Sequence, residues 1–231
     1  MGNLDIAQFI LYMVALVFSL SLHEAGHAWM SNRFGDDLAR LQGRISLNPV
    51  VHVDPIGTLL LPAIVFFTGA PLIGWAKPTP VNPLRWRNKR VANFWVSAAG
   101  VICNLFVAII AGITMRVLFE FGLVGLGLTP YGGLVAMANG DSLVAEGGAK
   151  LLSTLFSMNI ALAFFNLLPV PPLDGSKILG SILPSSFDSA IEMLERFGPM
   201  LLLLLVFTRS LGPLFRLVMP VASYPFIIGL R

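Results

Sequence analysis

The hydrophobic positions of this sequence fall into runs long enough to cross a lipid bilayer. A membrane-spanning helix needs about 20 consecutive apolar residues. Three runs approach or exceed that length, and they cover residues 6–30, 91–119 and 150–168. Because only helices and closed barrels satisfy their backbone groups inside lipid, these runs predict an all-α membrane protein that crosses the bilayer several times.

A further apolar stretch, residues 56–76, is interrupted by two prolines and two glycines: Pro62, Gly69, Pro71 and Gly74. The loop after it, "KPTPVNPLRWRNKR", carries five basic residues and no acidic one, and the connection before it contains three arginines. Basic loops tend to stay on the cytoplasmic side of a membrane. Both ends of the stretch are therefore predicted to be cytoplasmic. This favours a re-entrant hairpin that turns near residues 69–71, with a single span as the alternative.

The remaining patterns are shorter. After residue 176 we predict a short helix and then an apolar region around "PMLLLLLVF", which forms either one span or a broken pair. A small β element is expected between the first and second hydrophobic segments, because Ile45 and Leu47 alternate with polar residues within 43–49. The stretch "GLVGLGLTPYGG" is predicted to be a loop. Together these patterns predict a bundle of about five to six transmembrane or re-entrant helices.

The composition agrees with a membrane protein. Of the 231 residues, 56% are hydrophobic and only 12% are charged, and the mean hydropathy is +0.81. Soluble domains carry about 25% charged residues. The net charge of +3 is small, and its clustered basic residues report on topology, so we expect no nucleic-acid partner. The single cysteine, Cys103, excludes an intramolecular disulfide.

Polar residues in the first apolar run carry the candidate chemistry. The stretch "LSLHEAGHAWMSN" places His23 and His27 four positions apart, hence on one helix face. Two such imidazoles can bind one metal ion, and Glu24 beside them can act on a water molecule, as in the H-E-x-x-H pattern of zinc hydrolases. Ionisable residues are costly inside a membrane and indicate function there. Polar packing between helices is the alternative.

A hydrolytic zinc site usually has a third protein ligand. The extended motif with a third histidine fails, because Arg33 occupies that position. Among the acidic residues, Asp174 in "NLLPVPPLDG" is the best candidate, because three prolines end the preceding helix and Gly175 permits an unusual turn. A turn or helix-cap role for Asp174 is the alternative, and the loop residues Asp36, Asp37 and Asp54 are weaker candidates.

With H-E-A-G-H in the first span and L-D-G after a late one, the sequence resembles the site-2 protease family of intramembrane zinc metalloproteases. Four other stretches are similar to compact prokaryotic members without PDZ or CBS domains: "LNPVVHVDPIGT", "GWAKPTPVNP", "SAAGVICN" and "FNLLPVPPLDGSKIL". The resemblance covers about residues 8–185. It implies His23, His27 and Asp174 as ligands of one Zn²⁺, and Glu24 as the catalytic acid and base.

The resemblance also implies that Asn104 lines the active site, although Val101 replaces the proline common in the family's A-G-P-x-x-N pattern. Asn104 is expected to bind the oxyanion or the substrate backbone, with hydrogen bonding between helices as the alternative. Asn159 and Asn166, seven positions apart, are expected to face the site or simply to pack. His52 is expected to support a ligand, bind the metal transiently, gate the substrate, or serve as an ordinary loop histidine.

These expectations define one membrane-embedded metalloprotease domain over residues 1–231, with a catalytic core over about 6–185 and C-terminal helices over about 186–231. We expect a zinc-dependent endopeptidase that cleaves transmembrane segments of other proteins, with the 43–49 strand holding the unwound substrate. The alternatives are a membrane protease that trims unfolded or loop substrates, and a non-proteolytic metal-binding scaffold or transporter. The predicted location is a prokaryotic cytoplasmic membrane, with the 77–90 loop in the cytoplasm.

Overall fold

The computed structural model describes residues 6–68 and 74–229 of the chain. It is mostly helical, with one two-stranded sheet. In chain order the elements are α1 (Ile6–Arg33), α2 (Leu38–Leu41), α3 (Leu61–Thr68), α4 (Lys89–Glu120), β1 (Val124–Leu128), β2 (Leu134–Ala138), α5 (Leu143–Leu167), α6 (Asp174–Ile182), α7 (Asp188–Phe207) and α8 (Leu211–Ile227). This confirms the predicted helical class.

Helices α1, α4 and α5 are long and apolar enough to cross a membrane, with 28, 32 and 25 residues. Helix α4 is the central one: 61% of its most apolar window is buried, against 28% for α1 and 33% for α5. It packs against α1 on one side and α5 on the other. The hydrophobic core joins α4 to α5 and the sheet through Met115, Phe156 and Leu134, all fully buried. The residues of α1 that face α4 therefore lie against the most buried helix of the three.

The apolar stretch 56–76 begins and ends at the same level of the molecule. Its first part is a π-helical segment, Pro55–Leu60, that continues into α3. After α3 the chain comes back, since the Trp75 N–H donates to the Gly57 carbonyl over 3.1 Å. The Thr58 hydroxyl also donates to the Trp75 carbonyl over 2.8 Å. The two ends thus meet, as expected for the re-entrant hairpin that the sequence favours. The predicted turn at 69–71 lies outside the described residues.

The β element lies elsewhere than predicted. Residues 43–49 form no strand, because their polar groups are taken up locally. The Ser46 hydroxyl accepts from the Asn48 N–H over 3.0 Å, and Asn48 caps the short 3-10 turn Pro49–Val51. The Ser46 carbonyl also receives a hydrogen bond from the ring of His52 over 2.9 Å. The prediction of a strand between the first and second hydrophobic segments is therefore wrong.

The sheet forms instead between the third and fourth segments: β1 lies in the stretch 122–133 that was predicted to be a loop, and β2 follows directly after it. Strands β1 and β2 are antiparallel, and their register pairs Val124 with Ala138 and Leu128 with Leu134. The apolar residues of "VGLGL" alternate with glycine, which is the two-residue period of a strand. The period was not recognised in the sequence because glycine is uncommon in strands and typical of loops. The buried side of the hairpin packs on α5 and α8.

The C-terminal apolar region forms a broken pair of helices, which is one of the two predicted alternatives. Helices α7 and α8 are bent by 78° at a short break. Arg209, within the break, adopts a left-handed backbone with φ of 57°. By length and composition the described residues contain three spanning helices, or up to four if the bent pair counts as one. The predicted total of five to six transmembrane or re-entrant helices stays a prediction.

Candidate metal centre

The two histidines of α1 face each other across one helical turn. Their Nε2 atoms lie 3.0 Å apart, and their rings meet edge to face with centroids 4.6 Å apart. His23 is buried and His27 half-buried. The i, i+4 spacing accounts for the shared face, but only the packing of α4 against α1 accounts for the orientation of the rings.

Each ring is held by its other nitrogen. Nδ1 of His27 lies 2.6 Å from the Val96 carbonyl, and Nδ1 of His23 lies 2.7 Å from Oδ1 of Asn104. Both partners are oxygen acceptors, so each Nδ1 carries the proton and donates it. In the neutral rings both Nε2 atoms are therefore left as bare lone pairs. Neutral imidazoles in this tautomer are metal ligands.

Asp174 brings a third acceptor to the same point. Its Oδ2 lies 3.2 Å from Nε2 of His23 and 3.2 Å from Nε2 of His27. The Asp174 side chain is 8% exposed, and within the described chain this oxygen has no hydrogen-bond donor. Three acceptors, two of them on buried residues, converge without a proton between them, and this arrangement calls for a cation. Ligands about 2.0–2.1 Å from a tetrahedral zinc lie about 3.3 Å apart, so the donor set fits zinc.

Helix α4 leaves space for an ion at this point. A Cβ atom on Gly100 would lie 2.6 Å from Nε2 of His27 and 2.7 Å from Nε2 of His23. Any side chain here would therefore press on the two lone pairs. The absence of a side chain at position 100 keeps the space between the rings open, and it gives an independent sign that the convergence is a binding site.

Glu24 lies beside these three acceptors and is held separately. A potential ligand oxygen of Glu24 is within 4.8 Å of those of His23 and His27. However, its Oε2 accepts a hydrogen bond from the Thr79 N–H over 2.7 Å. The Thr79 hydroxyl also donates to the Glu24 carbonyl over 2.9 Å. Asp174 therefore makes the closer approach to the two rings, and Glu24 lies beside them with Oε2 tied to the backbone of Thr79.

The asparagines form a buried network behind the histidines. Nδ2 of Asn104 donates to Oδ1 of Asn159 over 2.8 Å, and Nδ2 of Asn159 donates to the Ser19 hydroxyl over 2.8 Å. Asn104 and Asn159 are fully buried. Asn166 is apart from them: it lines the cavity and donates to the Leu162 carbonyl over 3.0 Å. The network fixes the amide of Asn104 so that its oxygen faces His23.

The other candidates lie away from the three acceptors. His52 is 1% exposed, and its Nε2 bonds the Ser46 carbonyl, which leaves Nδ1 without a hydrogen-bond partner in the described chain. Burial lowers the pKa of His52, and the neighbouring Arg44 guanidinium lowers it further. Asp36 accepts hydrogen bonds from Ser31 and Asn82, Asp54 caps the segment that leads to α3, and Asp37 pairs with arginines.

Sequence reasoning missed the segment that holds Glu24. We call residues 75–79 the strap. Every second residue of the strap has its backbone hydrogen-bonded to another part of the chain. The Lys77 N–H donates to the His52 carbonyl over 2.9 Å, and the Lys77 carbonyl accepts from Nη2 of Arg44 over 2.5 Å. Trp75 is bonded to Gly57 and Thr79 to Glu24, as described above. The quoted "GWAKPTPVNP" contains the strap, but its proline spacing alone does not show which backbone groups pair.

A cavity of about 1430 Å³ opens on this site. Its wall includes the imidazoles of His23 and His27, the carboxyls of Glu24 and Asp174, and strap residues. From there it extends between α1 and α5 to the hairpin and the α7–α8 bend, lined mostly by apolar side chains. A mostly apolar cavity with a cluster of polar groups in one part of its wall suits a hydrophobic chain that reacts at one point.

Comparison with known proteins agrees with this geometry. The chain matches peptidase family M50 over residues 11–205. It is 32% identical over 200 residues to "Putative zinc metalloprotease YwhC" of Bacillus subtilis, a match that covers 87% of this chain and 81% of that protein. It is 29% identical over 204 residues to "Putative zinc metalloprotease Rip2" of Mycolicibacterium smegmatis, covering 88% of this chain and 69% of that protein. No solved structure matches the chain.

Proposed function

This chain belongs to peptidase family M50, and we propose that it is a zinc-dependent endopeptidase that cleaves membrane-protein segments within the bilayer. One observation carries the proposal: the acceptors of His23, His27 and Asp174 converge next to Glu24 at the wall of an apolar cavity. The family and the names of its relatives imply a zinc protease. The three apolar helices imply an integral membrane protein.

His23, His27 and Asp174 would hold the zinc ion. When bound, zinc supplies Lewis-acid polarisation of the scissile carbonyl and lowers the pKa of water. Glu24 accepts the proton of the attacking water at Oε1, because the Thr79 N–H occupies Oε2. The same carboxyl then donates that proton to the nitrogen of the leaving amine. Asn104 and Val96 keep the two imidazoles in the tautomer that presents Nε2.

The strap replaces residues 43–49 as the proposed holder of substrate. Trp75, Lys77 and Thr79 are bonded on one side, so strand alternation places the backbone groups of Ala76 and Pro78 on the other. Both residues line the cavity, and within the described ranges neither the Ala76 N–H nor the Pro78 carbonyl has a hydrogen bond. An unwound substrate segment can add to this edge by β-augmentation, one residue away from the strap residue that holds Glu24.

The membrane setting follows from the same features. The cavity lies among helices of membrane-spanning length, so its substrate is an apolar segment of a membrane protein. The segment must unwind locally, because a helix keeps its peptide bonds internally paired. We place the protein in a prokaryotic cytoplasmic membrane, with the basic 77–90 loop in the cytoplasm. The metal site then lies toward the cytoplasmic end of α1.

The deciding experiment compares wild type with Glu24→Gln in detergent micelles. We expect Glu24→Gln to bind one zinc per chain and to lose cleavage of a micelle-embedded helix. Wild-type protein that holds zinc but cleaves neither this helix nor a soluble loop peptide would favour the scaffold or transporter alternative. Cleavage of the loop peptide alone would favour the trimming protease.

A further inference from the structure

The proposed carboxylate ligand is mounted on the end of a short helix. Asp174 is the first residue of α6, a helix of nine residues. The N-terminal end of α6 packs closely on the end of α5, where a Cβ on Gly175 would collide with the backbone of Leu167 and Leu168. The position of Asp174 relative to the histidines thus depends on how the whole of α6 is held.

Arg90 holds the opposite end of α6. The last carbonyls of a helix have no partner within the helix and carry its negative dipole end. Nε of Arg90 donates to the Ser181 carbonyl over 2.6 Å, and Nη2 donates to the Ile182 carbonyl over 3.1 Å and also to the Leu183 carbonyl. A guanidinium fork suits this task, since it presents several donors in a fixed plane.

Asn93, one helical turn after Arg90, adds to the same contact. Its Nδ2 donates to the Lys177 carbonyl over 3.2 Å and to the Ser181 hydroxyl over 3.0 Å. Further along α4 lie Val96, which bonds His27, Gly100, which leaves room for the ion, and Asn104, which bonds His23. A single helix therefore positions the supports of all three proposed ligands.

We propose that Arg90 is a positioning residue for the metal site, which sets the depth of the Asp174 carboxylate through the C-terminal end of α6. This inference rests on the proposed zinc site. Arg90 contacts neither the metal position nor the cavity wall described above, so its effect must pass through α6. Loss of the Arg90 hydrogen bonds lets α6 shift or fray, and this withdraws Oδ2 of Asp174 from the two imidazoles.

The test measures the zinc Kd of purified protein by competition with a chelator, together with the visible spectrum of the cobalt-substituted protein. We expect Arg90→Met to weaken zinc binding by about tenfold, the low end of the loss seen when a group that supports a metal ligand is removed. The cobalt bands should shift, since they report coordination geometry. Arg90→Lys keeps the charge but loses the fork, so we expect a smaller loss in the same direction.

Lys89→Met is the matched control, because it removes one positive charge from the same helical turn without a described bond to α6. An unchanged zinc Kd and cobalt spectrum in both Arg90 variants would overturn the proposal. If Arg90→Met does not fold, Arg90→Lys decides by the same two readings. Equal loss in Lys89→Met would show a general charge effect and would also overturn it. A wild-type protein that binds no zinc would remove the proposed metal site itself.

Discussion

Nδ1 of His23 donates a hydrogen bond to Oδ1 of Asn104 over 2.7 Å, in a buried pairing between α1 and α4. Asn159 fixes the orientation of that amide, so the acceptor side of Asn104 always faces the ring. This relationship places the Asn104 amide behind the His23 ring, at the nitrogen that does not face Asp174. The oxyanion role expected from the sequence would need the same amide to face the substrate.

Asn104→Ala should therefore weaken zinc binding. Loss of the partner frees the His23 ring to rotate or to change tautomer, and we expect zinc affinity to fall by about tenfold to a hundredfold. The measurement is a chelator competition on the purified protein. Asn166→Ala, which removes an amide that lines the cavity, is the control and should keep the wild-type affinity. Wild-type zinc affinity with reduced kcat in Asn104→Ala would instead restore the oxyanion role.

Asp174→Asn should lose most of its zinc. The substitution keeps the shape but replaces an anionic oxygen by a neutral amide, so the buried cation loses its only carboxylate among the proposed ligands. Elemental analysis should find one zinc per chain in wild type and much less in the variant. Asp37→Asn, which removes an exposed carboxylate, should retain the full content. Equal zinc in Asp174→Asn and wild type would exclude Asp174 as a ligand.

Gly100→Ala should empty the site without unfolding α4. Alanine favours helix by about 1 kcal/mol over glycine, but its Cβ would press on both Nε2 atoms. We expect zinc content to fall while helicity by circular dichroism stays unchanged. Gly112→Ala on the same helix meets the ring of Phe226 instead, so it should keep its zinc. Full zinc content in Gly100→Ala would show that the ion lies elsewhere.

Ala76→Pro tests the strap as the holder of substrate. The substitution removes the Ala76 N–H, which we propose pairs with the substrate, and leaves the hydrogen bonds of Lys77 and Thr79 in place. Cleavage of a micelle-embedded helix should drop by about tenfold or more, the cost of one or two lost backbone hydrogen bonds, with zinc content unchanged. Ser46→Pro, in the segment first expected to hold substrate, should cleave normally. The reverse pattern would return that role to residues 43–49.

His52 should make the fold sensitive to mild acid. Its pKa is lowered by burial and by Arg44, so the folded protein keeps the ring neutral where the unfolded chain takes up a proton. Above about pH 6.5 the ring is neutral in both states and the free energy of unfolding is not reduced. As the pH falls from there toward the lower pKa of the folded state, only the unfolded chain takes up the proton, so the free energy of unfolding decreases. The Tm of wild type should therefore fall more between pH 7 and pH 5 than the Tm of His52→Gln. Parallel curves would contradict this.

The sequence by itself determined the features that depend on local spacing. Apolar runs of membrane length became α1, α4 and α5, and the i, i+4 spacing put His23 and His27 on one face of α1. The prolines before Asp174 ended α5 as predicted. These features survive because helix period, span length and proline sterics act within a few residues and need no partner from a distant part of the chain.

The tertiary structure decided which distant groups meet. It brought Asp174 to the imidazoles, turned Asn104 toward His23, and tied Glu24 to the Thr79 backbone. It also moved the sheet from residues 43–49 to the hairpin after α4. Backbone hydrogen bonds and carboxylate positions depend on how helices pack and on which side chains take up free polar groups. A pattern of residues tells which face a side chain occupies, but it does not tell what will lie opposite that face.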